Sequence, residues 1–211
     1  MIFMNKKLIA KKAAVLLISA FLLCILTGCG AAKLPEVVEQ DTLKIGKNGA
    51  VTAYLTGDFD KTYYNVHELR DMAAREAVDY NKNHPVAGGG EAVVLKAAEL
   101  FANGKKVKIT TQYADTAVYA DYNGAVLFYG TVAEAVKAGY DFNTKAADNE
   151  GKILTGADIR KDGDRKLIIT DVRAMIYCPG KVTHVTEGMK RNADGSVDTT
   201  QSEALVYILM K

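Results

Sequence analysis

The first 26 residues of this 211-residue chain are not expected to be part of its folded domain. Residues 1–12 carry four lysines and no acid, and residues 13–26 form an apolar run interrupted only by Ser19. A basic segment followed by such a run is typical of a secretory signal peptide. A helix that stays in a bilayer needs about 20 apolar residues, so a transmembrane anchor or a buried helix is the less favoured interpretation.

The segment Leu26–Cys29 closes the apolar run with an aliphatic residue, a threonine, a glycine and a cysteine. This order resembles the lipobox of bacterial lipoproteins. The resemblance implies that a peptidase cleaves between Gly28 and Cys29 and that the Cys29 thiol carries a diacylglyceryl chain. Cys24 lies inside the apolar run and lacks this context. We therefore expect a signal peptide over residues 1–28 and an extracytoplasmic chain that is lipid-anchored to the cell membrane.

Removal of the signal peptide reverses the sign of the net charge. Residues 1–28 contain four of the 27 basic residues and none of the 25 acids, so the net charge changes from +2 to −2. A protein that binds nucleic acid through its surface has a basic patch, and this composition does not predict one. The expected partners are therefore the membrane, through the lipid anchor, and an envelope protein, a wall polymer or a small solute, but no nucleic acid.

The mature chain predicts a flexible tether followed by one domain. Residues 29–41 have little periodicity and are expected to form the tether. Residues 42–211 are long enough for a single domain, with a division in the polar stretch 143–152 as the alternative. The mixture of short strands and capped helices predicts an α+β fold, with a mostly antiparallel sheet or sheets, two main helices and a short one.

Turn and capping residues predict where most elements begin and end. Lys47–Gly49 separates two apolar runs and predicts a hairpin. Asn65 with Glu68 predicts the start of a helix that continues to Asn81, and Thr131–Glu134 is a capping box that opens a helix ending at Gly139. Strands are predicted over residues 126–129, 165–172, 174–178, 182–186 and 204–210.

Two segments fit both a helix and a strand. Residues 91–102 have a helix-forming composition, but Asn103-Gly104 also suits a hairpin turn into the alternating run 106–113. Residues 114–124 fit a strand, or a short helix that Asp115 caps. We predict the hairpin for the first segment and the short helix for the second.

A second resemblance rests on the order of several short motifs. These are Asp58-Phe59-Asp60, Tyr64 before a helix, Tyr119–Asn123 and the stretch from Gly130 to Phe142. In this order they resemble uncharacterised envelope lipoproteins of low-GC Gram-positive bacteria. The resemblance covers most of the mature chain and implies a location in the cell envelope, but no activity.

The sequence contains no complete set of residues for catalysis or metal binding. His67 and Glu68 begin like a zinc-protease helix, but Asp71 stands where the second histidine is required. The stretch 192–198 lacks the closing glutamate of a calcium loop and is expected to be a turn. Cys178 lies in an apolar run, so a buried thiol is expected rather than a catalytic one. We therefore predict no catalytic residues, no metal site and no cofactor.

Tyrosines are the candidate binding residues. Tyr63, Tyr64, Tyr119 and Tyr122 could form an exposed patch for a sugar or a protein, because tyrosine suits interfaces. The alternative is that these rings close the edge of the core.

The sequence therefore favours a non-enzymatic binding or interaction domain of a lipoprotein. The alternative is an envelope hydrolase that uses carboxylates such as Asp58, Asp60 or Asp121.

Overall fold

The structure is a computed structural model, and it describes residues 32–86 and 89–211. The predicted signal peptide, its cleavage site and the predicted lipidation site Cys29 lie outside the described residues. Within the described ranges, no helix is both long enough and apolar enough to cross a membrane.

Thirteen strands and four helices make up the described part of the chain. In chain order they are β1 (Thr42–Ile45), β2 (Val51–Asp58), α1 (Val66–Asn83), β3 (Val93–Phe101), β4 (Lys106–Tyr113), α2 (Thr116–Asn123), β5 (Leu127–Thr131), α3 (Val132–Lys137), β6 (Lys145–Ala147), β7 (Ile153–Thr155), α4 (Gly156–Lys161), β8 (Lys166–Thr170), β9 (Met175–Tyr177), β10 (Val182–Thr186), β11 (Lys190–Arg191), β12 (Val197–Asp198) and β13 (Val206–Met210).

The strands form two sheets, and the predicted α+β class is confirmed. The first sheet has the strand order β11-β12-β9-β1-β2-β4-β3, and the second has the order β5-β8-β13-β10-β6-β7. Neighbouring strands are antiparallel except for β1 and β9, which pair in parallel. The prediction of a mostly antiparallel arrangement therefore holds in both sheets.

Both hairpins that the Asn-Gly pairs predict are present. Ile45 lies opposite Val51, and Gly49 between them has a φ of +84°, which glycine adopts without strain. β3 and β4 also pair as a hairpin, so residues 91–102 do not form a helix. The turn between them takes its left-handed backbone from Ala102, Asn103 and Gly104.

The predicted helix starts are confirmed. The Asn65 side chain accepts hydrogen bonds from the backbone amides of His67 and Glu68, and α1 continues two residues beyond the predicted Asn81. Asp115 caps α2, which is the short helix predicted for residues 114–124. α3 begins with a reciprocal capping box.

The region between α3 and β8 contains elements that the sequence analysis did not predict. The polar stretch 143–152 lies within one compact unit of the chain. It enters the hairpin of β6 and β7, which forms one edge of the second sheet. A fourth helix, α4, follows, and Thr155 and Asp158 form its capping box. Asp158, the third residue of the helix, accepts the hydrogen bond from the Thr155 backbone amide that a glutamate accepts in the commoner version of the box.

The second sheet is buried on both faces. Ile168 and Ile208 face a core that also contains Leu43 and Ile176 of the first sheet. On the opposite face, a smaller core includes Leu167, Ile169, Tyr207 and Leu209, and residues of α3 and α4 cover it. This position between two layers explains why Leu167–Ile169 of β8 and all five residues of β13 are buried instead of alternating between buried and exposed.

Helix α1 lies along β3, the edge strand of the first sheet. The Asn81 amide nitrogen donates to the carbonyl oxygen of Val93, and the Val93 amide donates to the Asn81 side-chain oxygen, both at 2.8 Å. The asparagine side chain therefore pairs with both polar backbone groups of one β3 residue.

The end of the predicted tether contacts the domain. Val38 is buried. The Asp41 carboxylate accepts hydrogen bonds from the backbone amide of Thr56 at 2.7 Å and from its hydroxyl at 3.0 Å. These contacts hold the C-terminal part of residues 29–41 against the first sheet.

Candidate functional site

The candidate site is a groove of about 850 Å³ at the end of the pairing between β10 and β13. Val182 lies opposite Met210 but His184 lies opposite Leu209, so Thr183 is an extra residue on β10. Such a β-bulge bends the strand and redirects its side chains, and bulges are common beside functional sites. The bulge therefore shapes one wall of the groove.

Arg165, which directly precedes β8, contacts both side chains at the bulge. Its Nη2 atom donates to the Thr183 hydroxyl and lies 3.1 Å from Nδ1 of His184. The Thr183 hydroxyl in turn donates to the carbonyl oxygen of Leu209 at 3.0 Å. Consecutive side chains in a regular strand point to opposite faces. Because one guanidinium nitrogen reaches both Thr183 and His184, the bulge has brought them to the same side of β10.

Arg191 of β11 reaches the same strand. Its Nη1 atom donates to the carbonyl oxygen of Val182 at 2.6 Å. The guanidinium groups of Arg165 and Arg191 therefore contact consecutive residues of β10. Both arginines are half-buried, and neither forms an ion pair with a carboxylate of the described residues.

His184 presents an unused hydrogen-bond donor beside these arginines. Arginine only donates, so Nδ1 of His184 accepts from Arg165, and the neutral ring carries its hydrogen on Nε2. Nε2 is buried and has no hydrogen-bond partner in the described part of the chain. A buried donor without an acceptor costs about 1–3 kcal/mol, so an acceptor that reached this ring would stabilise the protein.

Four acidic side chains also line the groove. Asp162, Asp164 and Glu150 are exposed, in contrast to the half-buried arginines. The Asp148 carboxylate accepts hydrogen bonds from the backbone amides of Lys152 and Glu150, and these bonds lower the pKa of Asp148. This carboxylate is therefore already engaged in the turn between β6 and β7.

The environment of His184 favours its neutral form. Burial lowers the pKa of His184 below its ordinary value of 6.5, the positive charges of Arg165, Lys152 and Arg191 lower it further, and Asp148 partly offsets them. Below about pH 6.5 the unfolded chain binds a proton on this residue more readily than the folded chain does. We therefore expect the free energy of unfolding to fall as the pH decreases from about 6.5 through the lower pKa of the folded state.

Urea unfolding of His184→Gln at about pH 7.5 and at about pH 5.5 measures this contribution. The variant should lose less stability between the two pH values than the unsubstituted protein. His67→Gln is the matched control, because His67 is exposed on α1. An equal loss in all three proteins would show that His184 does not contribute to the pH dependence.

The sequence analysis did not select the residues of the groove. The bulge in β10 does have a signal in the sequence. Val182 and Val185 are both buried although they lie three positions apart in a strand. Strict alternation puts residues an even number of positions apart on one face, so two buried valines at this spacing indicate an inserted residue between them. Arg165 and Arg191 come from distant positions and have no comparable signal.

The three carboxylates proposed for a hydrolase lie outside the groove. Asp58 is the last residue of β2, and Asp60 forms an exposed ion pair of 3.4 Å with Lys61. Asp121 lies on α2 and accepts a hydrogen bond of 2.7 Å from the Tyr80 hydroxyl. No contact of the described residues joins Asp121 to either of the other two.

The four candidate tyrosines separate into two pairs. Tyr63 is 76% exposed and contacts Tyr64, with ring centres 5.0 Å apart. Tyr119 is only 4% exposed and packs edge-to-face against Tyr113 in the core. Tyr122 is half-buried against the same ring. Tyr119 therefore belongs to the core and not to an exposed patch.

Within the described ranges, no group of three or more histidine, cysteine or acidic side chains is arranged to hold a metal ion. The stretch 192–198 forms the predicted turn, in which Gly195 has a φ of +87°. One oxygen of the Asp194 carboxylate accepts from the amide and the hydroxyl of Ser196, so it stabilises the turn itself.

Cys178 is buried, as the sequence analysis expected. Burial raises the pKa of its thiol to about 12, and the thiolate is the reactive form. We expect a thiol reagent to label Cys178 slowly in the folded protein and rapidly in urea. The experiment uses a Cys24→Ala/Cys29→Ala background, so that no other cysteine reacts.

Addition of Asn149→Cys to this background supplies the control, because Asn149 is exposed. Its thiol should react rapidly without urea. Equally rapid labelling of Cys178 in the folded protein would contradict its burial.

The groove combines two half-buried arginines, an unused imidazole donor and a strand bulge. Comparisons with protein-family models, with curated proteins and with solved structures give no match for this chain. The chemistry of the groove is therefore the basis for a functional assignment.

Proposed function

We propose that this chain is an extracytoplasmic lipoprotein, anchored to the cell membrane through Cys29, whose domain binds a small solute in the groove at the bulge of β10. The order of charge, apolar run and Leu26–Cys29 supports the anchor. The binding is a non-enzymatic role.

The observation that carries the binding proposal is the unpartnered Nε2 atom of His184 beside the groove. The great majority of buried polar side-chain atoms have a hydrogen-bond partner, so each exception needs an explanation. Here the exception belongs to a residue that lines a groove of about 850 Å³, within the range of small-molecule sites. A ligand acceptor explains both features.

Blocking the groove tests this proposal. Asn149→Trp places a large ring on an exposed residue that lines the groove, and Asn143→Trp makes the same change in the neighbouring cavity beside α4. Thermal unfolding of the detergent-solubilised full chain is measured against a panel of charged and neutral water-soluble metabolites. A solute that binds the folded state raises the unfolding temperature.

We expect at least one solute to stabilise the unsubstituted chain and Asn143→Trp, but not Asn149→Trp. Stabilisation that is equal in all three proteins would place the binding elsewhere. If no solute of the panel stabilises the unsubstituted chain, the binding proposal fails.

A further inference from the structure

We propose that the groove is selective for a small solute that carries an oxyanion, a carboxylate or a phosphate, held between Arg165 and Arg191. This inference rests on the proposed binding function and adds the chemical class of the ligand. It depends on three features: the positions of the guanidinium groups, their lack of carboxylate partners, and the donor on His184.

The first feature is that the arginines converge on one point of the fold. Arg165 reaches β10 from the start of β8, and Arg191 reaches it from β11. Their contacts with Thr183 and with the carbonyl oxygen of Val182 each use a single nitrogen of the guanidinium group. Each group has five N–H donors in a planar fork, so donors remain on both arginines for a ligand.

The second feature is that these positive charges are not neutralised by carboxylates of the described residues. Burial of an unpaired charge is unfavourable, and each arginine is partly withdrawn from water. The contacts that hold Arg165 are a hydroxyl and a neutral imidazole nitrogen, and Arg191 donates to a backbone carbonyl. These partners fix the direction of each guanidinium group without cancelling its charge. An oxyanion would supply the missing negative charge.

The third feature is the geometry of the donors. Guanidinium groups bind carboxylate and phosphate through two parallel hydrogen bonds, which a neutral ligand does not reproduce with the same strength. His184 also lines the groove, and its Nε2–H has no acceptor in the described part of the chain, whereas an ammonium group would find no acceptor on any of these three side chains.

The acidic residues of the groove do not compensate the arginines. Asp162, Asp164 and Glu150 are exposed, and water screens their charges. The Asp148 carboxylate is occupied by two backbone amides. Because the two guanidinium groups contact neighbouring residues of β10, a compact anionic group on a small solute is favoured.

Titration calorimetry of the detergent-solubilised full chain with inorganic phosphate and with acetate tests the inference, and glycerol serves as a neutral probe. The variants are Arg165→Gln and Arg191→Gln. Arg160→Gln is the matched control, because it removes the same charge from α4 at an exposed residue of the neighbouring cavity. A measurement at constant ionic strength prevents a general screening effect from imitating a loss of binding.

We expect at least one of the two anions to bind the unsubstituted chain and Arg160→Gln equally, and glycerol to bind neither. Arg165→Gln and Arg191→Gln should each weaken binding about tenfold or more, because each variant removes charge-assisted hydrogen bonds to the ligand. If Arg165→Gln does not fold, the affinity of Arg191→Gln alone decides whether the inference holds. The relative affinities of phosphate and acetate identify which oxyanion is preferred.

Equal weakening by Arg160→Gln would show a non-specific charge effect and would overturn the inference. So would unchanged anion binding in both groove variants, or the absence of anion binding in the unsubstituted chain. A neutral solute whose stabilising effect is lost only in Asn149→Trp would then leave the binding function standing without its anionic specificity. If Asn149→Trp reduces the stabilising effect of no solute, the binding function itself is contradicted.

Discussion

Cys29→Ala should abolish the incorporation of radioactive palmitate and leave the precursor uncleaved after Gly28. The thiol of Cys29 is the proposed site of lipid attachment, and alanine has no nucleophile to replace it. Two acyl chains with about 14 buried methylenes each contribute on the order of 20 kcal/mol to membrane binding, so anchorage through them is stable. The measurement is palmitate labelling together with the mass of the chain.

Cys24→Ala is the matched control, because it makes the same change five residues earlier in the apolar run. This variant should be labelled and cleaved like the unsubstituted chain. Labelling of Cys29→Ala at the unsubstituted level, with loss of labelling in Cys24→Ala, would move the attachment site to Cys24. Labelling of neither unsubstituted nor variant chain would contradict lipidation altogether.

Gly156→Ala should be strongly destabilising. Gly156 is the first residue of α4 and is buried. A Cβ atom at this position would collide with the carbonyl oxygen of Phe142, which belongs to the chain backbone and has little freedom to move. Alanine is otherwise the better helix former by about 1 kcal/mol. We expect the collision to exceed this gain and to lower the free energy of unfolding by about 3 kcal/mol or more.

Gly163→Ala provides the comparison in the following turn. A Cβ atom there would meet the Ala133 side chain at 3.7 Å, which is an ordinary contact. We expect a change within about 0.5 kcal/mol. Urea unfolding of both variants gives the two free energies. If Gly156→Ala were as stable as Gly163→Ala, the close packing of α4 on the segment before β6 would be wrong.

Local sequence signals predicted the elements that depend only on contacts between residues close together in the sequence. The Asn-Gly hairpin at Gly49, the helix cap at Asn65 and the capping box at Thr131 need contacts over only three or four residues. β6 and β7 have three residues each and no clear alternation, so they are recognisable only through their pairing in the second sheet. The helix α4 does have a local signal, which is the capping box formed by Thr155 and Asp158.

The groove depends on contacts that no local pattern contains. Arg165 lies 18 positions from Thr183 in the sequence, yet their side chains share a hydrogen bond. Tyr119 illustrates the same limit for burial. Tyrosine is intermediate between exposed and buried residues, and its position follows from the packing of α2 on Tyr113. The apolar neighbours of Cys178 predicted that this residue is buried. The neighbours of Tyr119 in the sequence contain no comparable signal.

The bonds between Asn81 and Val93 have a consequence for self-association. An edge strand presents free amides and carbonyls that can pair with the strand of another molecule, and this pairing leads to aggregation. At Val93 both groups are already occupied by a side chain of the same molecule. A second chain would have to displace Asn81 before it could extend the first sheet at this end. The helix residue thus protects the start of β3 in a protein that the proposed anchor would concentrate on a membrane surface.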